Sequence, residues 1–230
     1  MGPHAVGKDT QAHLIADYYS REHQQDFVVI SIGDLIRNAK ETRNQFYQQW
    51  IDAFNNAPNE TKDAAITSLF QEIVRREVEE SSTTNLIFTG FPRKKGQAEK
   101  IPTVLTPYPD VRINAIRYFA GAAALDERIK KRVAETVASG EEPRPTDDVA
   151  REATVRKHYL ARLKPALRLL RERGVLQEID ANGSIERVFT QTRDALQHTY
   201  ALQEWEDRIM KEKKRVFHHM TALSLHVLCQ

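Results

Sequence analysis

The chain has 230 residues, of which 29% are charged and 40% hydrophobic, and its formal net charge is +2 at pH 7. This length can bury the core of one large domain with inserted lobes, and this composition excludes wholesale disorder. So small a charge makes no case for nucleic acid or a membrane surface as a partner, and a single cysteine, Cys229, excludes an internal disulfide and a cysteine-based zinc site.

The first predicted feature is Gly2-Pro3-His4-Ala5-Val6-Gly7-Lys8-Asp9-Thr10-Gln11. It fits G-x-x-x-x-G-K followed by a polar pair, a pattern in which glycines let the backbone curl so that successive N–H groups face one anion. Lys8 would reach the outer phosphates, and the helix that starts there would aim its positive end at them. Leu14, Ile15, Tyr18 and Tyr19 recur at helical spacing and extend that helix to about His23. Phe27–Ser31 reads as a strand buried on both faces, ended by Gly33-Asp34, with another helix from Leu35. Lys40 to Glu80 is polar and helical, broken near Ala57–Glu60, with Asn59 as the expected cap of a helix carrying Ile66, Leu69, Phe70, Ile73 and Val74.

A second strand, Asn85–Thr89, ends in Gly90-Phe91-Pro92-Arg93, and a helix over Gln97–Leu105 leads to a third strand, Val111–Phe119. Leu125, Ile129, Val133 and Val137 mark a helix rich in basic residues, and Ser139–Asp148 is a loop by its Gly, Pro and acidic content. Ala150–Arg173 is helical with a break expected at Pro165; Val175–Ile179 is the last strand, and Ser184 caps the helix that follows the Asn182-Gly183 turn. Strands alternating with helices give an α/β fold with a mainly parallel sheet. Ligands of such sheets sit beyond the carboxyl ends of the strands, where Asp34, Arg37, Arg93 and Asp180 fall along with the cradle of Lys8. No apolar run is long enough to cross a bilayer and no signal-peptide core is present, so the expected location is the cytoplasm.

These segments together resemble the adenylate kinase (nucleoside monophosphate kinase) family, from Gly2 to about Ala201. The family cradle G-x-P-G-x-G-K-G-T-Q is similar to Gly2–Gln11, and its I-S-x-G-D-x-x-R is matched by Ile30–Arg37. Its D-G-F-P-R-x-x-x-Q is matched by Gly90–Arg93 and Gln97, its R-x-x-x-R by Arg128 and Arg132, and its lid R-x-D-D by Arg144 with Asp147-Asp148. Asp180–Ile185 resembles the turn beside the ATP base.

The resemblance implies a P-loop nucleoside monophosphate kinase fold over 1–201, with a monophosphate-binding lobe at 38–82, a short lid without a zinc insert at 133–154, and a C-terminal helical extension at 202–230. It implies transfer of the ATP γ-phosphoryl to AMP, Mg²⁺ as cofactor, small-molecule nucleotides as the only partners, and a monomer. The implied catalytic residues are Lys8, Arg93, Arg128, Arg132 and Arg144. Gly2, Gly7, Lys8, Asp9, Thr10, Arg128 and Gly183 would bind ATP; Ile32, Arg37, Gly90, Arg93, Gln97, Arg144 and Arg156 would bind the monophosphate; Asp34 would meet the metal through water. Gln97 stands where adenylate kinases hydrogen-bond adenine, whereas Ile32 replaces a threonine or alanine and adds bulk beside the base. A UMP/CMP-type kinase, or a catalytically weakened nucleotide-binding descendant, is the alternative.

The chain departs from the family pattern in four places. Only Met1 stands where a central strand precedes the cradle, so a truncated or mis-assigned start is expected. Thr89 replaces the aspartate that orders water around Mg²⁺. Asp9 replaces the glycine after Lys8, and could pair with Lys8, share the Mg²⁺ role, or repel the nucleotide. His158-Tyr159 falls where the last lid arginine belongs, with Arg156 as its substitute.

Overall fold

A computed structural model describes residues 1–37, 47–58, 61–80, 85–108, 111–143, 147 and 149–198. Met1–Thr190 forms one compact unit and Gln191–Gln230 another. In the second unit, the described residues 191–198 are helical.

The first unit opens on the cradle, which passes into helix α1 (Lys8–His23). Gly7 caps α1 at φ 89°, a left-handed conformation that glycine takes without strain. The helix buries Ala12, Ile15 and Tyr19 and lays them against the sheet side of the unit. Strand β1 (Phe27–Ser31) follows, then a short helix α2 (Ile32–Arg37). Helices α3 (Gln48–Asn56) and α4 (Lys62–Arg75) come next, and α4 runs into a π-helical turn, Arg76–Glu80. The face expected of α4 is the one it buries: Ile66, Leu69, Phe70, Ile73 and Val74 pack with Ile30, Ile32, Leu35, Ile51 and Phe91 in one core. Asn59 and the segment 38–46 lie outside the described residues, and Thr61 occupies the N-cap position of α4.

Strand β2 (Asn85–Thr89), helix α5 (Lys95–Leu105), strand β3 (Ala115–Phe119), helix α6 (Ala122–Ala138), helix α7 (Val149–Glu172) and strand β4 (Leu176–Asp180) complete the order, and a last helix starts at 185. The strands form two parallel pairs, β1 with β2 and β3 with β4. In the first pair Ser31 lies opposite Thr89, which sets two hydroxyls side by side at the carboxyl ends. Met1 extends the second pair by one residue: its ammonium donates to the Ile116 carbonyl, and its own carbonyl accepts from the Tyr118 N–H at 2.7 Å. The mainly parallel sheet expected from the sequence is thus present as two parallel ladders among the described residues.

Two further expectations shift. Strand β3 starts at Ala115 and not at Val111, because its ladder with β4 (Leu176–Asp180) opens at Val175, whose carbonyl accepts the Ala115 N–H at 2.9 Å. Residues 111–114 therefore have no ladder to join. Pro165 does not break α7: it sits on an exposed face, as does Ala161, whose carbonyl gets no N–H from the proline. The opposite face, Leu163, Ala166, Leu167 and Leu170, is buried to 4% exposure or less and holds the helix continuous.

Candidate active site

The carboxyl ends of β1 and β2, the cradle, α6 and the turn after β4 enclose a cavity of about 600 Å³. The local sequence explains how each wall is made. Gly2 packs against β3 so closely that a Cβ there would lie 2.5 Å from the Tyr118 carbonyl oxygen, so no side chain fits. Ala5 takes a left-handed φ of 56°, unusual for a residue with a Cβ, and turns the cradle back toward α1. Gly7 then releases the chain into the helix, and Gln11 N–H closes the first turn on the Gly7 carbonyl at 3.0 Å.

Of the residues singled out in the sequence, Gly7, Lys8, Asp9, Thr10, Gly90, Arg93, Arg128, Arg132 and Gly183 line this cavity. Lys8 is mostly buried, and burial holds its ammonium pKa below the usual lysine value, with Arg93 and Arg132 pushing the same way and Asp9 opposing them. Arg93 is fixed behind Pro92: its Nε donates to the Gly90 carbonyl at 2.8 Å, and its backbone N–H donates to Gln97 Oε1 at 2.7 Å. Arg128 Nη2 donates to the Ala181 carbonyl at 2.6 Å and braces the turn that carries Gly183. Arg132 Nε donates to Asp147 Oδ2 at 2.9 Å, a second bond joins Nη2 to Oδ1, and the Asp147 carboxylate is buried.

Other singled-out residues lie elsewhere. Ile32 is 2% exposed and belongs to the core beneath the site. Gln97 is buried on α5, where Nε2 donates to Asp63 Oδ1 at 3.0 Å while Oε1 accepts from Arg93. Asp34 and Arg37 sit on α2, and the Asp34 backbone N–H donates to Ser31 Oγ at 3.3 Å. Arg156 points to α6, with Nη2 on Asp126 Oδ1 at 2.5 Å and Nη1 on the Ala122 carbonyl at 3.2 Å. Arg144 lies outside the described residues.

Sequence reasoning missed several lining residues. His4 lies inside the cradle with its ring centroid 6.4 Å from that of Tyr159. Burial, with Lys8, Arg93 and Arg132 around it, lowers its pKa to about 4, so the imidazole is neutral at pH 7. A titratable residue between the two cradle glycines was a visible signal. Ile185 and Val188 line the far wall, and Gln11 Nε2 donates to the Ile185 carbonyl at 3.1 Å, tying α1 to that wall. Ile185 ends the stretch that resembles the turn beside the ATP base, whereas Val188 reads only as part of an amphipathic helix.

The oxygen donors facing the cavity include Asp9, Thr10, Ser31 and Thr89 on the cradle side and Glu135 and Ser184 opposite, and Thr89 Oγ1 donates to Asp9 Oδ1 at 2.5 Å. Among the described residues no group of three or more His, Cys, Asp or Glu could hold a metal ion. The cradle-side set, the Asp9 carboxylate with hydroxyls, fits a magnesium ion that keeps its remaining coordination for water and phosphate. The arrangement can therefore receive a polyphosphate between a lysine, several guanidinium groups and a helix N-terminus. Among the described residues no helix is long and apolar enough to cross a membrane.

Comparison with known proteins agrees with this chemistry. A family model described as AAA domain matches residues 1–151. The chain is 30% identical over 199 residues to "Adenylate kinase" of Hyphomonas neptunium, covering 86% of this chain and 97% of that protein. It is 31% identical over 193 residues to "Adenylate kinase" of Bartonella tribocorum, covering 82% and 93%. A third relative, "Adenylate kinase" of Caulobacter sp. K31, is 30% identical over 188 residues, covering 82% and 91%.

Proposed function

Because the chain belongs to the adenylate kinase family, we propose that it transfers the γ-phosphoryl of ATP to AMP, in the reaction ATP + AMP ⇌ 2 ADP. It is a phosphotransferase of the nucleoside monophosphate kinase class. The observation that carries the finer reading is the convergence of Lys8, Arg93, Arg128 and Arg132 on one cavity at the N-terminus of α1. Phosphoryl transfer asks the protein mainly to align two nucleotides and to offset the charge on the moving group, and this wall has the groups to do both.

In this reading Lys8 and the cradle amides of Gly2–Thr10 hold the ATP phosphates, while Arg128 holds the Gly183 turn against the ATP base. Ile185 and Val188 give that base an apolar wall. Arg93 and Arg37 clamp the acceptor phosphate, for which a guanidinium fork suits two oxygens at once. Gln97 reads the acceptor base, its amide orientation fixed by Asp63 and the Arg93 N–H. Residues 38–82 form the acceptor lobe and 133–154 the lid, which brings Arg132 and Arg144 over the reacting phosphates and excludes water. Magnesium, held through Asp9, Thr10 and Asp34 by way of its waters, would supply charge neutralisation between the phosphates.

A coupled assay of ADP formation with ATP, Mg²⁺ and each of AMP, CMP, UMP and GMP tests the choice of acceptor. AMP is expected to give the highest kcat/KM. Preference for UMP or CMP would transfer the reading to the pyrimidine branch.

A further inference from the structure

Asp9 places a carboxylate in a wall of cations. Its side chain is 44% exposed and faces the cavity beside Lys8, with Arg93 and Arg132 across it. A bare carboxylate there repels a polyphosphate, the ligand that every neighbouring group attracts. Two contacts fix it: Oδ1 accepts from the Thr89 hydroxyl at 2.5 Å, and Oδ2 lies 3.7 Å from Lys8 Nζ. The second is a long ion pair, through which Lys8 offsets part of the carboxylate's charge. The first is a full hydrogen bond from the carboxyl end of β2.

Phosphate-loop enzymes in general place a hydroxyl directly after the loop lysine and a carboxylate at a neighbouring strand end, and both serve the nucleotide's magnesium. In this chain the strand-end carboxylate is replaced by the hydroxyl of Thr89, while a carboxylate, Asp9, stands directly after the lysine and ahead of the hydroxyl of Thr10. Asp9 and Thr89 are bonded to each other. A cation lying between Asp9 and the phosphates would remove the repulsion that Lys8, 3.7 Å away, offsets only in part.

We propose that Asp9 holds the magnesium ion of the incoming nucleotide, and that Thr89 is the positioning residue that orients its carboxylate. The inference rests on the kinase reading, since that reading supplies the nucleotide. It assigns Asp9 a role in metal selection: wild-type protein should discriminate sharply between Mg²⁺-ATP and metal-free ATP.

The test is calorimetric titration of the full chain with ATP, with and without Mg²⁺, for wild type, Asp9→Asn, Asp9→Gly and Thr89→Val, with melting traces to establish folding. Wild type is expected to bind Mg²⁺-ATP about tenfold or more tightly than metal-free ATP. In both Asp9 variants that ratio should collapse toward one, chiefly because metal-free ATP binds more tightly, and Thr89→Val should lower it partway. Binding of Mn²⁺ to the ATP complex, followed by its electron paramagnetic resonance, should weaken in parallel. An unchanged ratio in a folded Asp9→Asn or Asp9→Gly protein overturns the inference. If wild type still forms ADP from ATP and AMP in that case, the kinase reading stands alone; if wild type binds no ATP under either condition, both fall.

Discussion

Arg132 clasps Asp147 with two parallel bonds, Nε to Oδ2 at 2.9 Å and Nη2 to Oδ1, and the carboxylate it holds is buried. The pair ties the middle of α6 to the residue just ahead of α7, across the segment assigned to the lid. Paired guanidinium and carboxylate planes of this kind are directional, so the clasp sets where Arg132 rests before nucleotide arrives. Asp147→Asn should keep the shape and lose the charge, lowering unfolding free energy by about 1–3 kcal/mol in urea denaturation. Arg132→Ala should lower kcat about 100-fold or more if, as proposed, this guanidinium offsets charge on the transferring phosphoryl. A kcat within a factor of two of wild type would remove Arg132 from the chemistry.

Lys8 presents a trade between stability and activity. Its ammonium is buried among cations, which its lowered pKa reflects. Lys8→Met should therefore unfold at the same or a higher urea concentration than wild type, while kcat/KM for ATP falls about 100- to 1,000-fold. A variant that loses stability and activity together would mean that Lys8 is mainly structural.

His4 predicts a pH dependence of definite sign. Its pKa is about 4 in the folded protein against 6.5 for the unperturbed group. The unfolded chain binds a proton between these values that the folded chain refuses, so His4 costs the fold nothing above about 6.5. Its burial destabilises the fold progressively as pH falls toward about 4. His4→Asn should flatten the urea midpoint over that window, and the wild-type slope should persist if another group is responsible. ATP phosphates bound beside His4 should raise its pKa, so titrations near pH 5.5 in buffers of different ionisation heat should reveal proton uptake that His4→Asn lacks.

Ala5 carries local strain that a glycine would relieve. At φ 56° its Cβ crowds the following carbonyl, at a cost of roughly 1–2 kcal/mol, partly offset by the larger unfolded-state entropy of glycine. Ala5→Gly should raise the urea midpoint slightly, by an amount equivalent to about 0.5 kcal/mol. A clear loss of stability would show that the turn is relaxed as it stands.

What the sequence revealed followed from local chemistry. The cradle glycines, the apolar runs of β1 and β2, and the face of α4 are short-range patterns, and each appears where expected. That Lys8 and Arg93 share one rim was legible because a cradle and a strand end of a parallel ladder lie on the same side, whereas Arg128 and Arg132, on α6, were pointed to only by the family's R-x-x-x-R spacing. What stayed hidden depends on partners distant in the chain. The start of β3 is set by Val175, the continuity of α7 through Pro165 by the packing of Leu163 and Leu167, and the seat of Arg132 by Asp147. Asp9 allows three readings in the sequence, and its bond to Thr89 joins two positions that no local pattern connects.

The most direct measurement is phosphorus NMR of the full chain incubated with ATP, Mg²⁺ and AMP, alongside a sample without AMP. ADP should accumulate at two equivalents per ATP consumed when AMP is present, with no inorganic phosphate in either sample. Absence of ADP although ATP is bound, or ADP and inorganic phosphate formed without AMP, would contradict the proposed transfer to AMP.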